Sequence, residues 1–303
     1  SDATKGWVPL EDDVTALEPV APPTQKAIFG FGNTGSNVSI TNLVNSSGVV
    51  ATDTTGVGTV REKLGAAGYG GDKAIFGYGS AGPDLSMTNL VSNSGVVSTD
   101  VTGVGTARRD IRATTYGLDK AIFGYGVTSG VVSITNLVNS SGVVSTDVTG
   151  VGTAREQLGA AGYGGDKAIF GYGTNGGNVS MTNLVSSSGV VSADVSGVGT
   201  GRYALAAASY GSDKALFGYG YASSYVSITN LVSNTGVVSS DVSGVGTARF
   251  RLAAASYGGD KALFGYGNTG SQVSITNLVS SSGVVASNVT GVGTARSNLA
   301  AAG

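Results

Sequence analysis

Six arginines, Arg61, Arg108, Arg155, Arg202, Arg249 and Arg296, recur at intervals of 47 residues. An aspartate precedes each of the first five by eight positions (Asp53, Asp100, Asp147, Asp194, Asp241), and Asn288 takes that place in the sixth. Charges repeated in this way could gather an ion on a symmetry axis. A catalytic site, however, is singular, and sixfold recurrence points to groups that hold loops or bridge neighbouring units. The chain contains neither histidine nor cysteine, which removes His-based triads, thiol nucleophiles, disulfides and the usual zinc ligands. No metal and no cofactor is expected.

A second chemical signal is Gly30, Gly32 and Gly35, a GxGxxG that follows an apolar run and returns as Gly77, Gly79 and Gly82. In a dinucleotide site that motif seats a pyrophosphate on the N-terminus of a following helix. Here the run Val38–Val44 follows, alternating like a strand, so a tight strand-to-strand turn is the reading.

More telling are the places where the copies disagree. Differences concentrate at 33–37, 80–84, 127–131, 174–178, 221–225 and 268–272, and directly after each arginine. One group is aromatic: Tyr203, Tyr221 and Tyr225, with Phe250 and Arg251 from the next copy, a set suited to stacking on a sugar ring or anchoring a protein. The other is charged: Glu62, Lys63 and Asp84 with Arg109 and Asp110, while Arg112 lies deeper in its strand. Two carboxylates of that group across a gap could serve as acid and base in glycoside hydrolysis.

The elements that position these residues follow from the repeat. Lys26–Gly32 (KAIFGFG) returns at Lys73, Lys120, Lys167, Lys214 and Lys261, and a fixed period of this length marks a repeat architecture. Although Gly numbers 51 and charged residues only 12%, 41% of the chain is apolar, enough for a core. Within the third copy, Arg108–Tyr116, Lys120–Gly126, Val132–Val138 and Val143–Val148 read as four strands separated by turns, and none has helical spacing. Four short strands per unit is the pattern of a propeller blade. The last copy ends with a small-residue strand at 296–303 for which the first has no counterpart, so the chain ends are expected to share one blade and leave no open edge. The fold class is therefore all-β: a six-bladed β-propeller with four-stranded blades over residues 26–303. The loop before strand one and the loop after strand two share an end of such a blade, which places all the variation on one face.

Residues 1–25 stand outside the repeat, with four of the five prolines and the acids Asp2, Glu11, Asp12, Asp13 and Glu18 against Lys5. They read as an extended acidic arm, in which Trp7 and Leu10 are candidate anchors to a partner. With the arm set aside, the net charge of -2 leaves a near-neutral body without the basic stripe that nucleic acids demand. No apolar run is long enough to span a membrane, and no secretory leader is visible.

Arg202 followed by the small-residue strand Leu205–Ala208, then an apolar strand ending in glycines at Ala215–Gly220, resembles the kelch type of β-propeller. The near-identical DKAIFGYG and GVGTAR segments are also similar to propeller repeats of tailed-phage genomes. That resemblance implies a multicopy virion or host-recognition protein. The expected function is a non-enzymatic structural and binding module, with the variable face on a host glycan or protein and the arm on a larger assembly. The alternatives are a glycan-cleaving enzyme using Glu62, Asp84 or Asp110, and a scaffold without ligand.

Overall fold

A computed structural model describes residues 26–303; the arm at 1–25, with Trp7 and Leu10, lies outside the described residues. The described chain is all-β. The first copy supplies β1 (Ala27–Asn33) and β2 (Asn37–Val44), the second β3 (Gly65–Tyr69), β4 (Lys73–Ser80) and β5 (Asp84–Val91). The third gives β6 (Arg112–Tyr116), β7 (Lys120–Gly124) and β8 (Thr135–Val138), the fourth β9 (Gly159–Tyr163), β10 (Lys167–Gly171) and β11 (Thr182–Val185). The fifth gives β12 (Ala206–Tyr210), β13 (Lys214–Gly218) and β14 (Thr229–Val232), the sixth β15 (Ala253–Tyr257), β16 (Lys261–Gly265) and β17 (Thr276–Val279), and β18 (Ala300–Ala302) ends the chain. They form six three-stranded antiparallel sheets, five of consecutive strands and one ordered β18-β1-β2, in which Ile28 pairs with Ala302 and Gly30 with Ala300.

Three relationships repeat from sheet to sheet and also join the sixth to the first. The Phe ring of each middle strand seats on the glycine of the preceding middle strand: a Cβ on Gly30 would lie 2.6 Å from the Phe76 ring, and one on Gly265 would lie 2.7 Å from Phe29. Glycine is required there because the aromatic ring occupies the space of a side chain. The core accordingly consists of six clusters between neighbouring sheets, one of them joining Phe29 and Ala27 to Leu263, Tyr266 and Ala255. In the second relationship, the first strands lie side by side: β3 beside β6, then β9, β12, β15 and β18, and β18 beside β3. Their Ala, Gly and Ser residues line a central cavity of about 540 Å³.

The third is a cycle of backbone hydrogen bonds. Asp110 N–H donates to Lys63 C=O (2.9 Å), Gln157 to Asp110 (3.2 Å), Ala204 to Gln157 (2.8 Å), Arg251 to Ala204 (2.8 Å), Asn298 to Arg251 (2.9 Å) and Lys63 to Asn298 (2.8 Å). All six of these non-glycine residues have φ between 52° and 58°. The left-handed backbone costs such residues free energy, and every one of them recovers two inter-sheet hydrogen bonds.

The recurrent arginines are fully buried. Arg61 donates from Nε to Tyr78 O (2.9 Å), from Nη1 to Thr59 O (3.1 Å) and from Nη2 to Asn89 Oδ1 (2.6 Å), and its guanidinium lies 4.3 Å from the Phe31 ring centroid of the preceding sheet. Its acid is not the one eight residues earlier but Asp100, 3.8 Å away, which also accepts from Asn89 Nδ2 (2.9 Å) and Thr59 Oγ1 (2.7 Å). Asp53 serves Arg296 in the same way. None of these arginines lines the central cavity; they fasten one sheet to the next.

One expectation needs correction. The fourth strand is reduced to isolated bridges, Val138 to Val144 and Thr135 to Val148 in the third copy, so the sheets have three strands. Side chains take over the ladder there: Asn136 Nδ2 donates to Ser145 O (3.1 Å) and the Ser145 hydroxyl accepts from Leu137 N–H (3.1 Å). The glycine motif leads, as expected, from one strand into the next: the register shifts between Gly30 and Gly32 within β1, Phe31 holds φ 62° there, and Gly35 lies in the turn before β2. Among the described residues no helix is long and apolar enough to cross a membrane.

Candidate functional site

The face where the copies differ is assembled by one bridge per sheet. The residue after each arginine pairs with the residue that follows the glycines of the middle strand: Glu62 with Ser80, Arg109 with Val127, Glu156 with Thr174, Tyr203 with Tyr221, Phe250 with Asn268 and Ser297 with Asn33. The variable segments, far apart in sequence, are thus adjacent, and the hydrogen-bond cycle of Lys63, Asp110, Gln157, Ala204, Arg251 and Asn298 stands at their centre.

The aromatic residues do come together. Tyr203 and Tyr221 exchange backbone hydrogen bonds of 3.1 and 2.9 Å, and their ring centroids lie 5.4 Å apart. Tyr221 bridges onward to Tyr225 (centroids 5.7 Å), and Tyr225 stacks on Phe250 at 4.9 Å and 20°. The Arg251 guanidinium caps Phe250 at 4.8 Å. All five side chains are half-buried, so the rings support one another and still present faces to solvent. Arg251 Nε is buried and has no acceptor among the described residues, and Gln157 Oε1, two places along the cycle, is buried and has no donor. Unmet hydrogen-bonding groups next to stacked rings suit a polar ligand with an apolar face.

The charged residues also meet, but largely to satisfy one another. Arg109 Nη1 donates to both oxygens of Asp84 at 3.0 Å, and Glu62 Oε2 accepts from Asn298 Nδ2 at 2.8 Å. Lys63 Nζ lies 3.7 Å from Asp110, which is buried, and Arg109 Nε lies 4.0 Å from it. Burial raises the Asp110 carboxyl above the ordinary range, against the pull of Lys63, Arg112, Arg109 and Arg251. Glu156 is raised too, by burial first and then by the Asp110 charge. Sequence reasoning missed Glu156. Its signal was its position directly after Arg155, which marks it as a member of the same central set as Glu62 and Arg109.

Among the described residues no three His, Cys, Asp or Glu side chains gather as metal ligands would. No protein-family model matches the chain, and no curated protein matches it.

Proposed function

We propose that the chain is a closed six-bladed β-propeller of kelch type that acts as a non-enzymatic binding module of a virion. In this reading its variable face contacts a host glycan or protein, and residues 1–25 attach it to a larger assembly. The return of β18 to β1 and the six-membered hydrogen-bond cycle support the closed ring. The stacked cluster of Tyr203, Tyr221, Tyr225 and Phe250 under Arg251 carries the binding role, because it forms on the face where the copies diverge most and its side chains are half-buried, not enclosed. A shallow site of this kind gives weak affinity per copy, and multiple copies supply avidity. The test is a glycan-array and host-cell binding screen of the full chain beside a variant with all five residues changed to Ala. Binding lost in the variant supports the proposal, and binding retained overturns it.

Glycan cleavage is the second reading, favoured by the raised carboxyls of Asp110 and Glu156, one of which would serve as acid. Asp84 is less suited to that chemistry because both of its oxygens are engaged by Arg109. Turnover of labelled oligosaccharides that is abolished in Glu156→Gln would establish this reading.

A further inference from the structure

The central cavity has a wall that breaks the sixfold pattern at one strand. The innermost strands read GAAGY, RATTY, GAAGY, AAASY and AAASY for β3, β6, β9, β12 and β15. At the position of Arg112 the other copies have Gly65, Gly159, Ala206, Ala253 and Ala300, and at that of Thr114 they have only alanine. Arg112 and Thr114 are two residues apart on β6, hence on the same side of the strand, and both line the cavity.

Arg112 is a half-buried cation without a matched anion. Among the described residues its guanidinium has one hydrogen-bond acceptor, its neighbour Ile111 O at 2.9 Å. Asp110 is the carboxylate that acts on it, yet Asp110 forms its ion pairs with Lys63 and Arg109. A guanidinium presents a planar fork of donors matched to a carboxylate, and with one neighbouring carbonyl as its acceptor the fork of Arg112 remains open to a ligand in the cavity. The surroundings are not greasy. Each innermost strand is the edge of its sheet, so its outer N–H and C=O groups face the cavity unpaired by the ladder. A ligand that fits needs a carboxylate for Arg112 and hydroxyls for the strand edges, within about 540 Å³.

We infer that the central cavity binds a small polyhydroxy carboxylate, of the sugar-acid class, with its carboxylate on Arg112 and Thr114. The site is separate from the aromatic cluster, from which the hydrogen-bond cycle of Lys63 to Asn298 divides it. Entry is from the opposite end, whose rim includes Lys73, Asn93, Gly165 and Gly259.

The test is calorimetric titration of the full chain with sodium glucuronate at constant ionic strength, with glucose and acetate alongside. Saturable uptake of one glucuronate per chain is expected, with acetate weaker and glucose without measurable binding. Arg112→Ala installs the residue that three other copies already carry, so it preserves the fold, and it should weaken glucuronate by at least about tenfold, the loss of one charge-assisted pair. Arg112→Lys, which keeps the charge and loses the fork, should fall between. A variant lacking the aromatic cluster should bind glucuronate as the native chain does. Absence of saturable uptake by the native chain, uptake unchanged in Arg112→Ala, or uptake lost with the aromatic cluster overturns the inference.

Discussion

Arg249 is the one recurrent arginine for which the acid's place in the repeat is taken by an amide, Asn288, where Arg61, Arg108, Arg155 and Arg296 have a carboxylate at 3.8–4.0 Å. Asn288 still caps Thr247, accepting from its N–H at 3.1 Å and donating to its hydroxyl at 2.7 Å. Even so, Arg249 Nη2 and Asn277 Oδ1, which are bonded to each other in the equivalent pairs elsewhere, are buried and unsatisfied. Asn288→Asp is therefore expected to stabilise the chain by about 1 kcal/mol, the net value of one hydrogen bond. A rise in the urea midpoint at unchanged slope is the result to look for. The reverse change, Asp100→Asn, should lower it by a similar amount.

Phe31 invites a comparable repair. At the same position Tyr78, Tyr125, Tyr172, Tyr219 and Tyr266 donate their hydroxyls to Val104, Val151, Val198, Val245 and Val292 carbonyls at 3.0–3.2 Å. Phe31 is fully buried and has no such donor, leaving the Val57 carbonyl of the same register without one. Arg61, which rests on that ring, is also the arginine that burial pushes down to about 10. Phe31→Tyr should add about 1 kcal/mol, seen as a higher thermal midpoint.

The dependence of stability on pH has two opposing parts. Asp53, Asp100, Asp147, Asp194 and Asp241 are partly buried, which alone would raise them. Hydrogen bonds from Thr and Asn, with the nearby arginine, outweigh that and hold all five below the usual carboxylate value. A depressed folded pKa gives stability that is complete above the unfolded value of about 4 and is lost as pH falls through the folded one. Asp110 and Glu156 are raised, so protonating them on descent from neutral pH relieves a burial cost and adds stability before that loss begins. With no histidine in the chain, the profile should be flat near neutrality, rise slightly on the acid side and then fall steeply below about pH 4. Denaturant midpoints across pH would check it, and Asp110→Asn should erase part of the rise. A profile that climbs from pH 5 to 8 would contradict the assignment.

Removal of residues 296–303 takes away β18, the buried Leu299, the Arg296 contacts to Phe31 O and Asn42, and two bonds of the backbone cycle. The exposed edge of β1 then becomes a template for pairing with another chain. Self-association in light scattering, together with a broadened and lower unfolding transition, is expected.

Much of this was legible in the sequence because the repeat states every element six times. Small residues on the inner strands, β-branched and aromatic residues on the middle ones, and the return of the C-terminal strand to the first copy all followed from pattern. The gathering of Tyr203, Tyr221 and Tyr225 followed too, since variation that recurs at two fixed places in each unit must map to one end of it. The failures share a cause. Val143–Val148 has strand composition, but Asn136 and Ser145 divert its backbone bonds to side chains, a local competition that propensity does not register. The partner of each arginine was hidden because spacing along the chain offered Asp53 for Arg61, whereas the fold pairs arginine with the acid of the following copy. Glu156 was passed over because its raised carboxyl depends on Asp110, one copy away.

The six-membered cycle at the centre of the variable face is made of main chain alone, and it holds a lysine, an aspartate, a glutamine, an alanine, an arginine and an asparagine in nearly the same backbone geometry. Architecture and chemistry are thereby uncoupled at that point. A unit can exchange the side chain at this position with that of another and keep its two backbone bonds to its neighbours, so six near-identical segments amount to interchangeable cassettes. Recombination between them would redraw the chemical surface one sector at a time and leave the frame intact.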